Sequence, residues 1–309
     1  MKTLTITPRT IIFLTALLVT IFSACKKEKP EVGDPSTMKQ LAKDEIVVEG
    51  AMNEVLSDVN DYLSGNTAKQ INALPCNATI DSSSVVNDTI TYTVTFNGLN
   101  CAGTRHRQGT AYVKKHINTH WYDVDATVIV TYENLKVTKV STGNWVILNG
   151  TKTYKNVSGG LVMQLGNGTV TSVAHQISGN MDATFEDNTT RTWQIARNRT
   201  FTGTPGQLEF AHEGFGNAGG YSNLVVWGVN RNGENFYTQI TQDIVFRQVC
   251  SWDPCAGVKV HNIPSEGKQA TITFGFDANQ QPVSGGACPT HYKIDWVKNN
   301  YSGTLYLPL

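Results

Sequence analysis

From about residue 76 to the C-terminus, apolar and polar side chains alternate, and that period confines most of the chain to β-strands. Ile90, Tyr92, Val94 and Phe96 alternate with Thr89, Thr91, Thr93 and Thr95. One face is apolar and one is wet, as an antiparallel strand with one covered side requires. Ala126, Val128, Val130 and Tyr132 repeat the pattern, and so do Ala270, Ile272, Phe274 and Phe276. Further strands are expected at 109–117, 145–154, 159–166, 191–199, 224–231, 235–249, 291–297 and 303–307. Asn97-Gly98, Asn149-Gly150, Asn167-Gly168 and Asn232-Gly233 are expected between strands or at their ends. Asn-Gly tolerates the positive φ of a type I′ hairpin turn. The Gly-rich segment 202–222, with Pro205, reads as the longest loop.

Thr37 to Ser64 has a different period. Leu41, Val48, Met52, Val55, Val59 and Tyr62 recur at spacings of three, four and seven, which aligns them on one helical stripe. Lys39, Lys43, Asp44, Glu49, Glu54, Asp58 and Asp61 fall mostly elsewhere. Thr37 with Gln40 fits a capping box, and Gly65 stands where a left-handed C-terminal cap is expected. The polar face is not notably basic, which favours packing on the sheet over lying on a bilayer. The expected fold is mainly β: a curved antiparallel β-meander with one N-terminal amphipathic helix packed on it. A two-sheet β-sandwich is the alternative, because twisted sheets of many strands curl or split.

Phe22-Ser23-Ala24-Cys25 ends an apolar run that begins at Ile11, behind Lys2 and Arg9. The run is too short for a membrane span, which needs about 20 apolar residues. It reads as a lipoprotein signal peptide over 1–24, cut before Cys25. The Cys25 thiol then takes a diacylglyceryl group and its freed amine a third chain. Two or more chains anchor a protein stably. Residues 25–35, charged and containing Pro and Gly, read as a flexible tether, and 36–309 as one helix-plus-sheet domain. No Asp follows Cys25, which favours the outer membrane of the cell envelope.

The precursor has 25 basic and 25 acidic residues; losing Lys2 and Arg9 leaves 23 basic against 25 acidic. Beyond the tether there is no basic run, so nothing argues for nucleic acid.

The central to C-terminal half resembles a family of uncharacterised lipoproteins of Bacteroidetes-type bacteria. The residues that carry the resemblance are Gly228-Val229-Asn230-Arg231-Asn232-Gly233, the strand ending at Cys250, and Cys288 in its Gly-Gly-Ala-Cys turn. Phe96-Asn97-Gly98 before Cys101, Arg105 to Gly109, and Leu148 to Thr153 are similar to the family's earlier turns and strand. The resemblance implies an exported β-rich lipoprotein and carries no catalytic residues with it. Cys255 departs from the pattern, where an apolar residue is expected.

Five cysteines remain after Cys25, and an exported compartment favours pairing. Cys76 and Cys101 flank a strand pair, so a bridge between them is expected. Cys250 ends a strand and Cys288 lies in the turn before the penultimate one, so Cys250–Cys288 is expected, with Cys255 a free, buried thiol. Cys255–Cys288 with Cys250 free is the competing arrangement. Cys250–Cys255 fits the family pattern less well.

Candidate sites are few. His116, His120, Asp123 and Asp125 suggest a metal. In a strand, however, residues four apart stand about 13 Å apart, too far to share one ion. No metal and no cofactor are therefore expected. His212-Glu213, with Glu209, is the best catalytic candidate, since paired carboxylates cleave glycosides. No nucleophile elbow, zinc-protease motif or phosphate loop accompanies it. Asp88-Thr89-Ile90 resembles the short O-glycosylation motif of the same bacterial group, with Thr89 as acceptor. The expected function is a non-catalytic binding or structural role in the cell envelope, with an envelope protein, a glycan or an apolar ligand as partner. The alternatives are a carrier or chaperone for apolar ligands in a groove between sheet and helix, and a glycoside hydrolase-like enzyme.

Overall fold

The computed structural model describes residues 35–64 and 76–309. The signal, Cys25, the tether up to Asp34 and Gly65 lie outside the described residues, as do the side chains of Val55, Val59 and Tyr62.

Helix α1 spans Ser36–Ser64. The Lys39 N–H donates to the Pro35 carbonyl at 2.9 Å, so the helix opens one residue before the expected start. Thr37 therefore sits inside the first turn. The Gln40 amide turns forward to Asp44 at 2.7 Å instead of closing a capping box. Leu41, Val48 and Met52 are buried as the stripe requires. Each such side chain stabilises by ~1.5–3 kcal/mol when fully covered. Asp44, expected on the wet side, is buried too.

The strands are β1 (Ala78–Val86), β2 (Thr89–Leu99), β3 (Arg105–His116), β4 (Ala126–Lys139) and β5 (Trp145–Asn156). They continue with β6 (Val173–Phe185), β7 (Thr190–Thr202), β8 (Glu209–Gly214), β9 (Gly216–Ala218) and β10 (Tyr221–Val229). The last are β11 (Asn235–Arg247), β12 (Pro254–Ile263), β13 (Lys268–Phe276), β14 (His291–Lys298) and β15 (Tyr301–Pro308). All belong to one antiparallel sheet, in sequence order apart from one slot. The described residues form a single meander rather than two stacked sheets. In the slot between β7 and β11, β8 pairs with the C-terminal part of both neighbours. There β10 pairs with the N-terminal part of both. The two act as one interrupted strand, and β9 hangs on β10.

Three expectations fail. Residues 159–166 are not a strand; they are a loop with a short 3₁₀ turn, and the strand is β6. The Leu161 N–H is taken by the Gln164 side chain at 2.9 Å, so this segment's polar groups are satisfied locally. The 202–222 segment is not a loop throughout but carries β8 and β9. Asn149-Gly150 lies inside β5, whereas Asn97-Gly98 falls at the C-terminal end of β2 as expected. At Gly150 φ is 125°, and a Cβ would stand 2.3 Å from the Asn180 carbonyl oxygen. Only glycine fits there, and such glycine kinks bend a strand. Asn232-Gly233 does form a turn, in which the Asn230 side chain accepts the N–H groups of Asn232 and Glu234 at 2.9 and 3.0 Å.

The bending is large. Arg105 and Lys139, at the ends of β3 and β4, line the same cavity as Phe274 of β13 and Leu309. Strands β3 and β13 are eight steps apart in the sheet order. A flat sheet would separate them by about 38 Å at ~4.8 Å per step. The sheet therefore curls on itself. Two buried clusters line it, one with Leu41, Val48 and Met52 of α1 and the other with Met38 and Ala42.

Cys76–Cys101 and Cys250–Cys288 are disulfides, and Cys255 is a buried free thiol. The Cys255 thiol donates to the Asp253 carbonyl at 3.2 Å. The second bridge closes 38 residues of chain, worth ~3–4 kcal/mol in the chain-entropy account. A Cys250→Ser, Cys288→Ser double variant is expected to lose about that much stability in urea unfolding. An unchanged midpoint would show that the loop is held by its other contacts.

Candidate functional site

The most chemically unusual part of the molecule is the interface between α1 and the sheet. In β7, Arg191, Arg197 and Arg199 share a face with Trp193, Ile195 and Phe201, and all six are buried. Cations on the apolar phase of a strand need counter-charge or ligand, because burying an isolated charge is very unfavourable. Part of the answer is Glu45, which lies on the apolar stripe between Leu41 and Val48. Its Oε2 accepts from Lys259 Nζ at 2.8 Å. Its Oε1 accepts from Arg191 Nη2 at 3.2 Å and from the Thr238 hydroxyl at 2.9 Å. Burial pushes the carboxyl up, but Lys259, His261 and Arg191 outweigh it and hold Glu45 well below the usual range.

His261 completes the cluster. Its Nδ1 is 2.8 Å from the Thr238 oxygen. That hydroxyl spends its one proton on Glu45, so hydrogen-bond counting assigns the proton on His261 to Nδ1. Burial lowers His261 to about 3 against the pull of Glu45, so the ring is neutral. Asp44 pairs beside it with Arg231 at 3.2 Å, and Arg231 lies over the Phe185 ring at 3.7 Å. Burial raises Asp44.

His212 is not in a loop. It is buried in β8, and its Nε2 accepts from Arg199 Nε at 2.8 Å. Burial, then Arg199, holds it well below the ordinary range, so it stays neutral. Glu209 and Glu213 alternate with Phe210 and His212 along β8 and point to the other face. They lie four residues apart on a strand, about 13 Å, beyond the ~5–9.5 Å that flanks a glycosidic bond. β8 therefore does not assemble the carboxylate pair. Among the described residues no group of three His, Cys, Asp or Glu is placed to hold a metal. His120 stands 3.6 Å from Asp123, and Asp125 pairs with Lys155 at 2.8 Å. Thr89 opens β2 half-buried, its hydroxyl 3.5 Å from the Asn87 carbonyl.

Beside Glu45 lies a cavity of about 200 Å³. Ile240, Ile244, Phe246, Trp252 and Phe274 form its apolar wall. Arg105, Lys139, Arg197, Lys259, Glu45 and Asp253 are its charged lining.

No family model, curated protein or solved structure matches this chain.

Sequence reasoning missed the whole cluster, although two signals for it stood in the sequence. Glu45 follows Leu41 by four and precedes Val48 by three. Arg191, Arg197 and Arg199 keep the phase of Trp193 and Phe201.

Proposed function

We propose that this chain is a lipid-anchored lipoprotein of the cell envelope with a non-catalytic binding role, and that the cavity between α1 and the sheet is its binding site. The cavity is the observation that carries the binding part. The lipobox at Phe22 to Cys25 supports the anchor, the disulfides fit an exported domain, and the family resemblance agrees with both. The lining mixes charged and apolar groups, so it suits a small amphipathic molecule better than a purely apolar one. The volume argues in the same direction. A cavity of ~150 Å³ takes up benzene, so this one is far too small for a diacyl lipid. Thr89 remains the candidate glycan acceptor.

The anchor is tested by mass spectrometry of the mature N-terminus, with acylated Cys25 as the expected first residue. An unmodified Cys25, or cleavage elsewhere, would refute it. Cys25→Ala should accumulate as unanchored precursor.

A further inference from the structure

We infer that the open edge of β15 is a pairing site for a second copy of this chain, and that two β15 strands join antiparallel about a two-fold axis at Thr304. The binding role proposed above is independent of this surface.

β15 is one of the two edges of the sheet, and among the described residues it hydrogen-bonds as a strand to β14 alone. The Leu309 N–H donates to the Thr290 carbonyl at 3.0 Å. Backbone groups alternate sides along a strand, so Leu307, Leu305, Gly303 and Tyr301 also turn theirs to β14. The N–H and C=O groups of Ser302, Thr304 and Tyr306 point away from the sheet. Such a row is a template for another strand. Pro308 takes the next outward position and, having no N–H, ends the row of donors, as proline does on an edge.

Natural edges are blunted by charges or bulges. β1, the other edge, has both: its register shifts between Asp81 and Ser84, and Asp81 is exposed. β15 has neither. Its register with β14 is unbroken from Tyr301 to Pro308, and 301–309 contains no charged side chain.

The position of the donors selects the occupant. Ser302 and Tyr306 lie evenly about Thr304. A two-fold axis there sets Thr304 against its own copy and Ser302 against the second copy's Tyr306. Every outward N–H of both strands then meets a carbonyl. An axis at Ser302 or at Tyr306 leaves donors over on each strand. The side chains agree. Leu305 and Leu307 pack against the core, so they, Gly303 and Tyr301 share the inner face. On that face Tyr301 meets the second copy's Leu307, and Gly303 meets its Leu305. Tyr301 is exposed and both leucines are half-buried, so pairing covers apolar surface on both strands. A Cβ at Gly303 would stand 2.9 Å from the Trp296 ring, so the incoming Leu305 packs on that indole.

The test uses the full mature chain, made with Cys25→Ser so that no attached lipid drives association. Sedimentation velocity is run from about 5 to about 500 µM, because an interface of one strand per copy is small and therefore weak. The mass is expected to rise from one chain to two across that range and to stop there. Thr304→Lys opposes two like charges at the axis and should raise the midpoint at least about tenfold, whereas Asp81→Lys on β1 should leave it within about twofold. Thr304→Cys, in a Cys255→Ala background, should cross-link to its copy on oxidation. Residues opposed in a hydrogen-bonded pair have Cα atoms about 5.5 Å apart, within the ~4.4–6.8 Å that a disulfide spans. Ser302→Cys should not cross-link, because it stands about 13 Å along the strands from its own copy.

A single chain at every concentration would overturn the inference. So would assemblies that keep growing beyond two, which set β15 against β1 of the next copy in an open array. A dimer indifferent to Thr304→Lys would put the interface elsewhere, with the same consequence. Cross-linking through Ser302→Cys and not through Thr304→Cys would overturn the axis. Circular dichroism and a melting curve on each variant show that it is folded before its mass is compared.

Discussion

Glu45→Gln is expected to destabilise the domain by about 3–5 kcal/mol. That is the usual penalty when one member of a buried ion pair is removed and its partner stays behind. The partners here are Lys259 at 2.8 Å and Arg191 at 3.2 Å, both buried. Glutamine keeps the volume and still accepts one bond, so the loss isolates the charge. For a domain of this size it corresponds to roughly 6–20 °C in melting temperature. A second substitution gives the sign. Adding Lys259→Met to Glu45→Gln removes one of the stranded cations, so part of the loss should return. A Glu45→Gln variant that melts within about 2 °C of the wild type would show that the carboxylate does not seat α1.

Acid should unfold this protein from an unusually high pH. His175, His212 and His261 are buried and neutral, two of them lowered to about 3 and His212 well below its ordinary value. In the unfolded chain each titrates near 6.5. Below that pH the unfolded state binds protons that the folded state refuses, so stability falls as pH falls. Stability is therefore complete above about 6.5 and declines towards 3. Each histidine contributes a little over 1 kcal/mol per pH unit in that window, and the three together about 4 kcal/mol per unit. Two units approach the 5–15 kcal/mol that typical domains possess. The depressed Glu45 carboxyl has the same sign and adds its own loss below about 4.5. Urea midpoints measured from pH 7.5 to 5 should drop steeply below 6.5, and His212→Phe should flatten the slope by about a third. A midpoint constant across that range would overturn the account.

The strands with uninterrupted alternation, such as Thr89 to Phe96 and Ala126 to Tyr132, were legible because period two has one structural meaning. β6 was not. Its buried phase runs Val173, His175, Ile177, Gly179, Met181, and the imidazole and the glycine break the apolar pattern. Residues 159–166 look more apolar than β6 and yet form a loop. Gly150 looks like a turn residue in the sequence because glycine marks both turns and kinks, and only the approach of the Asn180 carbonyl tells them apart. The disulfides were legible because flanking one hairpin, or lying in the β11–β12 and β13–β14 connections at the same end of a meander, places cysteines together. The Glu45 cluster was harder. A charge in an apolar stripe signals a partner, but one sequence does not say that the partners are 146 and 214 residues away.

That separation shapes how the molecule comes into being. Chains emerge N-terminus first, at about 5–20 residues per second during synthesis. Glu45 leaves the ribosome early, and Lys259 follows it by 214 residues, a wait of roughly 10–40 seconds at that rate. During this interval the helix segment has no sheet to lie on and its carboxylate has no cation. Early truncation therefore yields an amphipathic segment with no docking surface. The last step of biogenesis, not the first, fixes the N-terminal helix in place.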